Sequence, residues 1–140
     1  MASILKVDTL TGVSTAGSIS VTGEGNSTTT NLQQGLAKAW LNLNGTGTIA
    51  ARDSFNISSI TDTNTGKYAP VLTSAMGNTN YSLASYGNHA GGETFYAGGG
   101  SGLGISAFVT TTASTYDLLS YSNAYIDSKY VYSQVFGDLA

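Results

Sequence analysis

His89 is the only histidine of the chain, and it stands four positions before Glu93 in the stretch GNHAGGETFYAGGGSGLG, residues 87–104. An imidazole near a carboxylate is material for acid–base or triad chemistry and, with further ligands, for a metal site. The same stretch holds eight glycines in eighteen positions, a density also found where backbone amides cradle a phosphate. Each reading makes a demand on the surrounding residues. A phosphate loop needs Lys-Ser or Lys-Thr after the glycines and a strand leading into a helix, and GGGSGLG has neither. No GxGxxG register fits, and no βαβ unit surrounds the stretch.

A serine nucleophile for His89 lacks a GxSxG elbow, and serine is so abundant that sequence singles out no partner. A metal at His89 and Glu93 lacks further ligands of suitable spacing. The carboxylates Asp8, Glu24, Asp53, Asp62, Glu93, Asp117, Asp127 and Asp138 are dispersed, mostly in turn-like sequence, so no pair for glycoside hydrolysis stands out. The expectation is a protein that is not an enzyme, with no catalytic residue, no metal and no cofactor. What remains for the glycine-rich segment is contact. His89, Glu93, Phe95 and Tyr96 become the anchors of an apical, receptor-contacting loop on a rigid scaffold. Tyr96, Tyr116, Tyr121, Tyr125, Tyr130 and Tyr132 offer flat faces with hydroxyls suited to a glycan or protein surface, and are equally at home as ordinary strand residues.

Composition narrows the class. Only 9% of residues are charged, against about 25% in a common soluble chain, and 37 serines and threonines with ten asparagines supply the polarity. Net charge is −3, and the five cations Lys6, Lys38, Arg52, Lys67 and Lys129 are scattered. That pattern excludes a basic stripe for nucleic acid. There is no cysteine, hence no disulfide framework. No apolar run reaches the roughly 20 residues of a membrane span, and the N-terminus does not read as an export signal, so a soluble protein without membrane insertion is expected.

The elements follow from periodicity. Residues 1–30 hold two short alternating runs, SILKV and SISVT, too poor in apolar neighbours to build a core. They read as an extended arm whose Ile4, Leu5, Val7, Ile19 and Val21 dock on another protein. Leu32, Leu36, Trp40 and Leu43 then fall at i, i+4, i+8 and i+11, predicting a short helix over about 31–43 whose face packs on the core or on another copy. Thr30 with Gln33, or Asn31 with Gln34, can cap it, and Asn44-Gly45 can stop it. From residue 48 the period becomes two. SFNISSI, KYAPVLT, YSLASY, GISAFVTTT, TYDLLSYS and YVYSQVFG read as strands divided by turn chemistry. The fold class is therefore mainly β, an antiparallel β-sandwich or jelly-roll-like module over 31–140 with one short N-terminal helix. Pro70 should mark an edge strand or bulge. Residues 105–136 carry only Asp117, Asp127 and Lys129 to guard strand edges, which points to edges covered by other chains in a homo-oligomer.

The run TNLQQGLAKAWLNLNGTGTIAARDSFNISSITDTNTGKYAPVLTSAMGNTNYS, residues 30–82, resembles a module of virion proteins of tailed bacteriophages, notably marine phages of the cyanophage type. The similarity extends to the opening MASILKVDTLTG, the Phe55-Asn56 pair, Ala75-Met76, the turn ending at Tyr81 and the closing VFGD, Val135 to Asp138. It implies a β-rich, trimeric, tail-fibre-type protein located in the virion. Its N-terminal arm would attach to other virion proteins, and its distal loops would meet a glycan or protein of the host surface. The passage from arm to module within about 30 residues departs from long fibres with shaft repeats. That leaves a capsid decoration protein of the phage head as the alternative.

Overall fold

A strand places successive side chains on opposite faces, so a sheet packed on one side can bury only every second residue. The stretches Ala39–Asn44, Lys67–Leu72 and Tyr130–Phe136 obey that rule. The computed structural model describes residues 4–13, 19–23, 28–88, 104–108, 112–121 and 124–140, and the chain divides into two compact units, Met1–Leu36 and Ala37–Ala140.

In the first unit β1 (Ser20–Thr22) and β2 (Thr29–Asn31) form an antiparallel hairpin with Val21 opposite Thr30. The single turn of α1 (Leu32–Gly35) follows. Asn31 caps it by accepting the Gln34 N–H at 3.1 Å, one of the two capping arrangements expected from sequence.

The helix expected over 31–43 is thus cut to four residues, and Ala39–Asn44 is instead strand β3. Two periodicities overlap here. Leu32, Leu36, Trp40 and Leu43 fit a helical face, but Ala39, Leu41 and Leu43 also alternate with Trp40, Asn42 and Asn44. Gly35 weakens a helix interior by about 1 kcal/mol relative to Ala, whereas β3 gains a hydrogen-bonded neighbour on each side. The alternation wins, and Trp40 and Leu43 end on opposite faces of a sheet. Asn44-Gly45 terminates a strand rather than a helix.

The second unit continues with β4 (Ala50–Phe55), β5 (Ile57–Asn64), β6 (Lys67–Leu72), β7 (Ser82–Asn88), β8 (Gly104–Phe108), β9 (Asp117–Tyr121) and β10 (Tyr130–Phe136). Two four-stranded antiparallel sheets result, ordered β4-β3-β10-β7 and β5-β6-β9-β8. Ala39, Leu41 and Leu43 of β3 and Val131 and Val135 of β10 form one core with Tyr68 and Leu72 of β6 and Tyr116 and Leu118. This is the antiparallel β-sandwich expected from the alternation. β9 and β10 are interior strands, so the sparse charge of those two strands follows from the sandwich itself, whereas β8 is an edge strand. Pro70 also lies on an interior strand, β6. Its carbonyl accepts the Tyr116 N–H at 3.4 Å, but the ring nitrogen has no hydrogen to return, and continuous pairing of β6 with β9 is confined to Lys67 and Tyr68.

SFNISSI is two strands rather than one. Asn56, the one non-glycine residue at positive φ (59°) among the described residues, passes the chain from the edge of one sheet to the edge of the other. Its Nδ2 donates to the carbonyls of Lys38 and Ser74, both at 3.0 Å, and its Oδ1 accepts the Ser74 N–H at 2.7 Å. Asparagine tolerates this backbone and bonds locally, which gives the Phe55-Asn56 pair a physical role.

The core contains hydroxyls held by specific partners. Tyr116 Oη and Ser133 Oγ meet at 2.9 Å across the two sheets. Tyr68 Oη accepts the Ser128 N–H at 3.3 Å and shares its proton between the Gly45 carbonyl (3.2 Å) and Asp127 (3.4 Å). Burial pushes both phenols up to about 12, with the Asp127 carboxylate adding to the effect at Tyr68. Asp127 also accepts the N–H of Gly66 at 2.7 Å. Gly66 sits at φ 64°, where a Cβ would lie 2.6 Å from two carbonyl oxygens, so this turn requires glycine.

Candidate functional site

With Ala39, Leu41, Leu43, Val131, Ser133 and Val135 turned inward, the alternate residues of β3 and β10 face away from the core. In an antiparallel sheet with one solvated face these positions are commonly small and polar. Here they are Trp40, Asn42 and Asn44 on β3 and Tyr130, Tyr132, Gln134 and Phe136 on β10. Register adds neighbours from the flanking strands: Tyr86 lies opposite Tyr132, and Phe55 and Asp53 lie opposite Trp40 and Asn42. The result is an aromatic and amide face across four strands.

Its central feature is a column of rings. Tyr86 stacks on Tyr132 with centroids 4.9 Å apart, and Tyr130 is nearly parallel to Tyr132 at 6.4 Å. Offset stacking of this kind fixes the rings before anything touches them. The guanidinium of Arg52 covers the Tyr130 ring at 4.5 Å, and the Lys129 ammonium lies 5.6 Å from the same centroid, both within cation–π range.

Arg52 reaches this place because of the backbone. The ladder of β3 and β4 shifts register between Asn42 and Leu43, pairing them with Asp53 and Ala51 and leaving Arg52 as the extra residue. Such bulges re-aim a side chain. Arg52 then donates from Nη1 to the Leu43 carbonyl at 2.8 Å and from Nη2 to Asn44 Oδ1 at 3.1 Å. Among the described residues neither Arg52 nor Lys129 forms an ion pair with a carboxylate. Beneath the face, Asn42 Oδ1 is buried without a hydrogen-bond partner among them. The face can hold a surface by stacking, by amide and hydroxyl hydrogen bonds, and by two positive charges at its Tyr130 end.

The residues singled out from sequence distribute unevenly. His89, Glu93, Phe95 and Tyr96 lie outside the described residues. Trp40 belongs to the face, Leu43 to the core, Leu32 is half-buried in α1, and Leu36 is 53% exposed. Ile4, Leu5, Val7 and Val21 are exposed and Ile19 half-buried. Tyr130 and Tyr132 lie on the aromatic face. Tyr116, offered from sequence as a contact residue, is fully buried one residue before β9, with its hydroxyl on Ser133. Tyr125 is exposed and carries the Lys67 ammonium 4.2 Å from its ring centre, away from the Tyr130 column.

Sequence reasoning missed Phe55, Tyr86, Arg52 and the amides. Once KAWLNLNG is read as a strand, the alternation of Trp40, Asn42 and Asn44 is a usable signal. The bulge that aims Arg52 has none. Two shallow clefts add little chemistry. One of about 240 Å³ lies between β4 and β5 against Ile49, Ile57 and Ile60, and another of about 340 Å³ is lined by Thr63, Lys67, Tyr68, Asp117 and Leu119. Among the described residues no three His, Cys, Asp or Glu side chains gather as a metal site. Comparison of the chain with protein-family models, curated proteins and solved structures finds no match.

Proposed function

We propose that this chain is a non-enzymatic structural protein of a tailed-phage virion, a homotrimeric tail-fibre or fibre-tip component that works by surface contact during host adsorption. The observation that carries the contact part is the ring column Tyr86–Tyr132–Tyr130 capped by Arg52, a preorganised surface on a sheet face that the core does not need. Rigid tyrosines and arginine give large contact area at low entropic cost. The virion part draws on the resemblance of residues 30–82. It accords with the exposed apolar residues Ile4, Leu5 and Val7, which have contact surface to offer a virion partner.

Immunogold labelling of intact virions with an antibody to this protein tests the reading. Label on the tail or its fibres is the expected result, whereas label over the head makes the protein a capsid decoration subunit. Sedimentation of the purified chain at micromolar concentration tests the trimer separately, and a monomer there removes it.

A further inference from the structure

The structure assigns an acidic-saccharide site to the outer face of the β4-β3-β10-β7 sheet, with the sugar carboxylate at Arg52 and Lys129 and the sugar chain against the column of Tyr130, Tyr132 and Tyr86. The inference deepens the adsorption reading and rests on it for its biological setting; its chemistry stands on the geometry.

Charge placement is the first support. The chain carries five cations and a net charge of −3, yet two of those cations converge on one tyrosine ring and neither is neutralised by a carboxylate among the described residues. Two cations that each reach the Tyr130 ring, neither in an ion pair among the described residues, complement an anion. Arg52 is fixed by Leu43 and Asn44, and those bonds engage only two donors of its planar fork. The remaining donors suit a carboxylate, which arginine holds through paired hydrogen bonds.

The rest of the face selects what carries that carboxylate. Phenol hydroxyls and the amide of Gln134 stand beside apolar ring surface, matching a ligand with many hydroxyls and apolar C–H faces. Size points the same way. Four strands about 4.8 Å apart, with ladders of five to seven residues rising about 3.3 Å per residue, span on the order of 300–400 Å². That is well below the roughly 800 Å² per partner of a stable protein interface, and suits a chain of sugars laid across the strands.

The test measures binding of the full-length protein to immobilised polygalacturonate, with neutral dextran as comparator, at low and raised salt. Saturable binding to polygalacturonate, weakened by salt and absent on dextran, is expected. Arg52→Gln with Lys129→Gln should weaken it at least about tenfold, and Tyr132→Ser should weaken it as well, while Lys67→Gln, a cation placed on Tyr125 instead, should leave it unchanged. Thermal melting of each variant establishes that it is folded. No binding to polygalacturonate, equal binding to dextran, or a loss in Lys67→Gln as large as in the double variant would each overturn the assignment. Tail labelling without polygalacturonate binding defeats this site alone, and head labelling with binding defeats the adsorption reading alone.

Discussion

β3 and β10 each present two faces, and the two faces have opposite chemistry on the same backbone. Inward stand Ala39, Leu41, Leu43, Val131 and Val135, small or aliphatic and almost fully buried. Outward stand Trp40, Asn42, Asn44, Tyr130, Tyr132 and Gln134, large or amide-bearing and half-buried or exposed. Packing explains the first set completely, since interior volume must be filled without voids. It does not explain the second, because a solvated face folds as well with threonine and serine, which this chain uses freely elsewhere. Residues that a fold does not require are where function is best sought, and the outer face meets that description while the core does not.

The two faces should respond differently to substitution. Leu43→Asp, an unpaired charge in the core, should leave no folded population, read as loss of the cooperative thermal transition. Leu41→Ala should destabilise by about 2–5 kcal/mol in denaturant titration. Asn56→Ala should cost about 2–3 kcal/mol, since it removes the bonds to Lys38 and Ser74 and strains a left-handed backbone. Asn56→Gly should recover only the backbone share.

The buried phenols set a pH dependence. Tyr68 and Tyr116 ionise near 12 when folded and near 10 when unfolded. Between those values the unfolded chain has released protons that the folded chain keeps, so stability falls as pH rises. The melting temperature should drop from pH 10 to pH 12, and Tyr68→Phe should reduce that slope while lowering stability at neutral pH by about 1–3 kcal/mol. The smallest effect belongs to the outer face. Tyr132→Ser should change stability by about 1 kcal/mol or less, and a loss as large as that of Leu41→Ala would make the ring column part of the core rather than a surface.

Particular residues mark how much was legible. The strands from Lys67 to Phe136 were readable because alternation and turn residues are local signals, and the cap at Asn31 was readable for the same reason. At 36–43 two periods coexist, and choosing between them needs the partner strand β10, which is almost 90 positions away in sequence. Pro70 followed its usual rule poorly because its strand tolerates a broken ladder on one side. Tyr116, just before β9, and Tyr132 of β10 are the same residue type, yet one is buried against Ser133 and the other stacks outside. Only the pairing of sheets separates them.

By itself the sequence determined the mainly-β class, the helix cap at Asn31, the absence of a phosphate loop motif and the low charge that leaves hydroxyls and amides to solvate the surface. These are consequences of composition and of periods two and 3.6, which act within a few residues. Tertiary structure alone decided that Trp40 and Leu43 take opposite faces, that Asn56 hands the chain between sheets and that Arg52 is turned by a bulge onto Tyr130. Each depends on which strands pair and in what register, and pairing is settled by contacts between residues far apart in the chain.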